Sequence, residues 1–333
     1  MQKPNRHRSL FWPILLIGVG IVWLLVNFNV IAAIDLNSLL RLWPLILIVI
    51  GLDLLFGRHK PWTGALIGIL TVGVVVVFLV FGPALGWTTA NTGNAKVETF
   101  TTPLDKTTHA NFVFYLSSQH VDLHALTNST DLIHAEIGHT GIIDYTVSGT
   151  DTKTVQLSQR SDGSGWISFD FSMLNLKWDL GITSEIPVNL TMDGGSGSVN
   201  ADLTGVKLQS LQASMGSGSS EFTLPASNSP FQAHIKSGSG SVNITLPSRT
   251  NLTLETDSGS GSLNINLPAN AAVRIEVSDT GSGSLNIPSD LIHAGGSFAA
   301  QGTGTWQTSN YDTAAYKILI KVANRGSGSV NIH

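Results

Sequence analysis

Two hydrophobic patterns divide this chain. Up to about residue 86 apolar residues run almost continuously, and beyond that point they alternate with polar ones. The continuous runs predict three helices, at about residues 10–27, 39–56 and 62–85. The first and third have the roughly 20 residues that a hydrocarbon core requires. The second is shorter and needs interfacial anchoring, for which Arg41 and Trp43 are placed. In the second half Val242, Ile244 and Leu246 share one face, while Ser241, Asn243 and Thr245 share the other. Leu263, Ile265 and Leu267 repeat the pattern, as do Phe222 and Leu224. A period of two predicts half-buried strands. Pro225, Pro247 and Pro268 end these strands, because proline cannot donate to a ladder. A second short strand follows each proline, at Phe231 to Ile235, Leu252 to Leu254 and Val273 to Val277.

The alternation is punctuated by a repeat. Gly-Ser-Gly-Ser starts at Gly195, Gly216, Gly238, Gly259, Gly281 and Gly326, and Gly302-Thr303-Gly304-Thr305 reads as a degenerate copy. The starts are 21 to 24 residues apart, which indicates a stacked array in which no unit buries its apolar face alone. Each unit reads as strand, proline turn, strand, Gly-Ser turn. The expected fold is therefore a membrane α-helical region followed by a flattened parallel β-solenoid with coils of about 22 residues. Its turns would be built on Gly195, Gly197, Gly216, Gly218, Gly238, Gly240, Gly259, Gly261, Gly281, Gly283, Gly326 and Gly328, with glycine supplying positive φ. Asn200, Asn243, Asn264, Asn286 and Asn331 follow the turns and would form a structural ladder, stacked about 4.8 Å apart.

The organisation expected is a transmembrane region at 1–87, a linker at 88–95, an irregular solenoid start at 96–190 and the regular array at 191–333. In the irregular part Val113 to His124 and Val155 to Leu157 look like strands. Gly163-Ser164-Gly165 resembles a turn, and Met173 to Leu180 reads as a loop or an extra strand. The chain stops just after its last turn, so Gly326 to His333 is expected to leave an edge open. That edge would pair with a second copy or a partner protein, or be covered by Tyr311 to Val322.

Composition narrows the function classes. The chain has no cysteine, which excludes disulfides, thiolate metal sites and cysteine nucleophiles. Up to residue 90 six Lys/Arg face two Asp, and afterwards twelve Lys/Arg face twenty Asp/Glu. An acidic second half without basic clusters argues against nucleic acid as a partner. Lys3, Arg6 and Arg8 precede the first apolar run, and Arg58 and Lys60 precede the third. If the chain crosses a bilayer three times, both clusters and the N-terminus are cytoplasmic and the solenoid is outside the cell membrane. A cleaved signal peptide over residues 1–34 is the competing reading. Against it, Trp12-Pro13 followed by Gly20 is echoed by Trp43-Pro44 followed by Gly51, which ties the first run to the second.

Candidate chemistry is sparse. His120, Asp122 and His124 alternate on one strand face, and His120 and His124 with a distant His134 or His139 are the weak metal candidates. Neighbours on one strand face lie nearly 7 Å apart, so all three cannot bind one ion, and a solvated face is the ordinary reading. The Gly-Ser turns lack the lysine and helix of a phosphate loop. Asp257 and Asp279 sit one repeat apart, but the acidic residues are otherwise scattered as solubilising charge. No nucleophile or metalloprotease signature appears, so neither an enzyme nor a cofactor is expected; a carbohydrate-active solenoid is the weakest reading.

The paired Trp-Pro segments with Gly51-Leu52-Asp53-Leu54-Leu55 resemble the LiaI/LiaF-like transmembrane region. Trp178-Asp179-Leu180, then Ile186-Pro187-Val188-Asn189-Leu190 and the Gly-Ser turns, resemble the toast-rack solenoid of LiaF-like proteins. The resemblance implies a bacterial multi-pass protein of the cell membrane with a role in envelope stress. Its partners would be the lipid bilayer and a membrane sensor kinase or another envelope protein, and no catalytic residues are carried over. A surface adhesin or envelope-structure module, merely anchored by the helices, is the alternative.

Overall fold

The structure is a computed structural model. It describes residues 96–160, 176–278, 281–295 and 302–333, together with residues 16–18, 20, 47, 48, 51, 66–74 and 77. The chain divides into two compact units, one built on Met1–Asn94 and one holding Ala95–Gly163 and Ser172–His333.

The described residues of the first unit are helical. Thr71 returns its hydroxyl to the Ile67 carbonyl at 2.7 Å, a bond that satisfies a polar group within one helical turn. A methyl group added to Gly18 would strike the side chain of Val72, so two helical stretches approach closely there. Leu16, Ile17, Ile69 and Leu70 are all at least 60% exposed. Among the described residues no helix is long and apolar enough to cross a membrane. Most of the expected spans at 10–27, 39–56 and 62–85, and the linker at 88–95, lie outside the described residues.

The second unit is all β. Its strands are β1 (Lys96–Pro103), β2 (His109–Tyr115), β3 (His120–Leu126), β4 (Asp131–His139), β5 (Ile142–Ser148), β6 (Thr152–Arg160) and β7 (Lys177–Thr183). They continue with β8 (Pro187–Asp193), β9 (Val199–Asp202), β10 (Lys207–Met215), β11 (Ser220–Thr223), β12 (Phe231–Ser237), β13 (Ser241–Thr245) and β14 (Leu252–Ser258). The last are β15 (Ser262–Asn266), β16 (Val273–Val277), β17 (Ser284–Asn286), β18 (Ile292–Gly295), β19 (Gly304–Gln307), β20 (Ile318–Asn324) and β21 (Ser329–Ile332). Sheet I has the order β1-β4-β7-β3-β9-β11-β13-β15-β21-β17, and sheet II the order β18-β19-β16-β20-β14-β12-β10-β8-β2-β6-β5.

Each regular coil is a sheet II strand followed by a sheet I strand, as in β10–β11, β12–β13 and β14–β15. Pairing from coil to coil is parallel and in register, so Val242 lies beside Leu263 and Ile244 beside Ile265. Antiparallel pairs gather at the ends: β1 with β4, β4 with β7 and β5 with β6 at one, β19 with both β16 and β18 at the other.

The stacking order is not the chain order. After β14–β15 the chain skips one place to lay down β16–β17, then returns with β20–β21 to fill the gap. At the opposite end β2–β3 lies between the later coils β6–β7 and β8–β9. Three sequence expectations are corrected here. The C-terminal segment is not an open edge, because β21 is paired on both sides; a last coil placed at the end would have left a row of backbone groups unpaired. Nor does the Tyr311 to Val322 stretch cover it, since that stretch leads into β20 of sheet II. Gly302 to Thr305 is no copy of the turn either, because it leads into the antiparallel strand β19, with φ of 80° at Gly302 before the strand and 155° at Gly304 where it starts. Of the Met173 to Leu180 segment, residues 177–180 belong to strand β7, where Trp178 is fully buried and its Nε1–H donates to the Gly138 carbonyl at 3.1 Å; residues 173–175 lie outside the described residues. Residues 163–165 lie outside the described residues.

The core is the seam between the sheets. Phe112, Phe114, Trp178 and Phe222 fill it towards the first coils, while Ile244, Leu254, Ile265, Ile320 and Val330 fill it towards the last. Burying one such side chain stabilises the fold by about 1.5–3 kcal/mol. The alternation that predicts the strands is the alternation that fills this seam.

Candidate functional site

The Gly-Ser turns form one column along an edge of the solenoid. Gly197 N donates to Ser117 O, Ser217 N to Gly195 O, Gly240 N to Gly216 O and Gly261 N to Gly238 O, at 3.1 to 3.2 Å. The column then follows spatial order: Gly328 N donates to Gly259 O at 3.2 Å, and Gly283 N to Gly326 O at 3.1 Å. Gly281 and Gly283 therefore end the column, although Gly326 and Gly328 come last in sequence.

The reason for glycine differs from the expected one. Of the turn glycines Gly195, Gly197, Gly216, Gly218, Gly238, Gly240, Gly259, Gly261, Gly283, Gly326 and Gly328, only Gly326 has positive φ, at 59°. At the others the constraint is close approach. A Cβ on Gly218, Gly240, Gly261 or Gly328 would overlap the carbonyl oxygen of Gly197, Gly218, Gly240 or Gly261 respectively. Gly195, Gly216, Gly238 and Gly259 face Ser117, Gly195, Gly216 and Gly238 in the same way. Positive φ belongs to other turns, at Asp105 (48°), Gly205 (89°), Arg249 (56°) and Asn270 (60°), each where a sheet I strand passes to a sheet II strand.

The outer face of sheet I carries the charged side chains that the sequence singled out, with neighbours that it did not. His120, Asp122 and His124 on β3 lie beside Lys177, Asp179 and Gly181 on β7, and Asp122 and His124 beside Asn200 and Asp202 on β9. Lys177 Nζ donates to Asp122 at 2.7 Å and Asn200 Nδ2 donates to it at 3.2 Å. His120 is 3.3 Å from Asp122 and 2.6 Å from Ser198 Oγ, while His124 is 3.3 Å from Asp179. Burial alone would raise the Asp122 carboxyl, but Lys177, Asn200 and His120 together hold it below the usual carboxylate range. The same pairing raises Lys177. Two hydrogen bonds from Thr204 lower Asp202.

The two histidines thus pair with different carboxylates. His134 bonds Thr101 Oγ1 at 3.1 Å, and His139 is buried with Nδ1 2.7 Å from the Gly141 carbonyl. Among the described residues no group of three His, Asp or Glu is placed to hold a metal ion. Asp257 is engaged by His234 at 3.1 Å and by Lys236 at 3.6 Å, and Asp279 lies outside the described residues. Lys177, Asp179 and Asn200 were not legible as partners of β3, because parallel register between distant segments leaves no local signal.

Further along the same face charge gives way to amides. Asn264 Nδ2 donates to Asn243 Oδ1 at 2.7 Å, Asn331 to Asn264 at 2.8 Å and Asn286 to Asn331 at 2.6 Å. Of the membrane signature, Gly20 and Gly51 are helical with open space beside them, and Trp12, Pro13, Trp43 and Pro44 lie outside the described residues.

The described residues of the first unit are thus helical and mostly apolar, and the second unit is a two-sheet β-solenoid. Residues 10–55 match the family model described as the LiaI-LiaF-like transmembrane region, and residues 91–245 match the N-terminal domain of toast_rack. These two matches bear out the resemblance of the chain to a LiaI-LiaF-like transmembrane region followed by a toast-rack domain. One similar solved structure is a protein from Clostridium sporogenes named for a proposed role in cell adhesion. It shows 17% identity and a TM-score of 0.47, with 72% of this chain and 99% of that one covered. Another is an adhesin candidate from Bacteroides fragilis, with 17% identity and a TM-score of 0.32, covering 72% of this chain and 97% of that one. No curated protein matches the chain.

Proposed function

We propose that this protein is a non-enzymatic regulatory or scaffold component of a bacterial cell envelope, active in the response to envelope stress. The observation that carries the reading is the pairing of a LiaI-LiaF-like transmembrane region with a toast-rack domain in one chain. Helical residues 16, 17, 69 and 70 expose large apolar side chains, which suits contact with lipid or with a membrane partner. The helices cross three times in this reading, with the N-terminus cytoplasmic and the solenoid outside. A sensor kinase is the partner that they contact.

The test is crosslinking and affinity capture of the intact protein from membranes under envelope stress, beside a version whose residues 1–87 are replaced by an unrelated anchor. Capture of a membrane kinase by the native protein alone supports regulation through the helices. An anchor-swapped version that preserves the stress response contradicts it and leaves the solenoid as an envelope-structure or adhesion module.

A further inference from the structure

Outward-facing amides and hydroxyls of sheet II are bonded to one another over part of its surface only. One row crosses the sheet through Thr154, Asn111, Asn189, Ser210, Gln232 and Thr253. Asn111 Nδ2 donates to Thr154 Oγ1 at 3.3 Å, Asn189 Nδ2 to Asn111 Oδ1 at 3.0 Å, and Ser210 Oγ to Asn189 Oδ1 at 2.7 Å. The ladder stops there. Among the described residues, Gln232 and Thr253 make no side-chain hydrogen bond, and neither does Gln209.

Where the ladder stops, a groove of about 410 Å³ opens, lined by Gln209, Gln232, Asn251, Thr253, Tyr311 and Lys317 with apolar residues at its floor. One wall is the segment that leads into β20, and the interleaved coil order lays it there. Lys317 N donates to Asn251 Oδ1 at 2.9 Å, which leaves the Asn251 amide N–H groups uncommitted. The Tyr311 ring is clasped by the Arg274 guanidinium at 4.3 Å and has Lys317 Nζ at 5.6 Å. Its hydroxyl has no protein partner among the described residues, and burial pushes this phenol up, so it stays protonated.

The chemistry of the lining selects a ligand class. Strands β10, β12, β14 and β20 are each paired on both sides, so no backbone edge is open to an added peptide strand. No carboxylate lines the groove, and its single ammonium group already donates to the Asp312 carbonyl at 3.1 Å. The remaining polar groups are neutral amides and hydroxyls, which both donate and accept. Sugar hydroxyls do the same, and the volume lies within the range of about 300–1,000 Å³ that small-ligand sites occupy. We infer that this groove binds a neutral oligosaccharide through Gln209, Gln232, Asn251, Thr253 and Tyr311.

The experiment is calorimetric titration of the full chain in lipid nanodiscs, which avoids sugar-headed detergents. The probes are tetramers of chitin, cellulose and maltose type, with tetra-alanine and inorganic polyphosphate as controls. At least one neutral tetramer should saturate the protein. Gln232→Ala and Thr253→Val should each weaken it about tenfold, the effect of losing one hydrogen bond in a desolvated site. Asn266→Ala, on the other sheet, should leave it unchanged. The inference is overturned by absence of saturable binding across the three sugars, by equal binding in the lining variants, or by saturation with peptide or polyphosphate alone. It stands or falls separately from the regulatory reading, which concerns the helices.

Discussion

A methyl group on Gly240 would have to displace the Gly218 carbonyl, which is fixed in the preceding turn of the column. Backbone cannot yield as a flexible side chain can, so Gly240→Ala should destabilise by about 1–3 kcal/mol, as overpacking of a tight contact does. Arg249→Gly is the contrast. Arg249 holds φ at 56° with a side chain, a strain that glycine removes while gaining unfolded-state entropy, and the two effects nearly cancel. Thermal unfolding should separate the variants clearly; equal melting temperatures would defeat the close-approach explanation. Neither position was fully legible in the sequence. Repeated glycine marks the column but not its cause, and an arginine carries no sign that its backbone is left-handed. Asp122 offers a test of electrostatics. Its folded-state pKa is lowered, so its contribution to stability is present above the ordinary carboxylate range and is lost as pH falls through the lower folded value. Wild-type should thus exceed Asp122→Asn in stability near pH 6, and the gap should close below about pH 4. A gap that persists in strong acid would mean that Lys177 and Asn200 do not favour the ionised form.

Among the strands, alternation identifies which segments pair but not which is next to which. Leu263, Val330 and Leu285 sit at equivalent places in coils with the same turn and the same Asn, so the sequence makes them interchangeable neighbours. Only the three-dimensional arrangement inserts β21 between β15 and β17. The absence of cysteine makes this testable by engineered pairs. Asn264 and Asn331 are register partners, at the roughly 4.8 Å spacing of adjacent strands, close enough for a disulfide. Asn264 and Asn286 are two strands apart, at about 10 Å, too far for one. Mild oxidation should crosslink Asn264→Cys with Asn331→Cys and leave Asn264→Cys with Asn286→Cys reduced; the reverse would restore stacking in chain order. Deleting residues 326–333 should likewise lower the melting temperature of the whole solenoid, because it removes an interior strand. Altered self-association with unchanged stability would instead mean that this segment is an edge. The oligosaccharide groove was invisible for a related reason: its walls come from residues 209 to 319, brought together by the same insertion.

For the whole molecule, the LiaI-LiaF-like segment associates the chain with a membrane, and the side on which the solenoid stands decides what it can meet. The proposed function places residues 88–333 outside, on the strength of Lys3, Arg6, Arg8, Arg58 and Lys60. With no native thiol, one introduced cysteine reports on this directly. Asn266 is exposed on the outer face of sheet I, away from the turn column and the sheet II groove. The decisive measurement is labelling of Asn266→Cys by a membrane-impermeant maleimide, in intact cells and again after permeabilisation. Full labelling in intact cells is expected. Labelling that appears only after permeabilisation would place the solenoid in the cytoplasm and contradict the proposed role at the envelope.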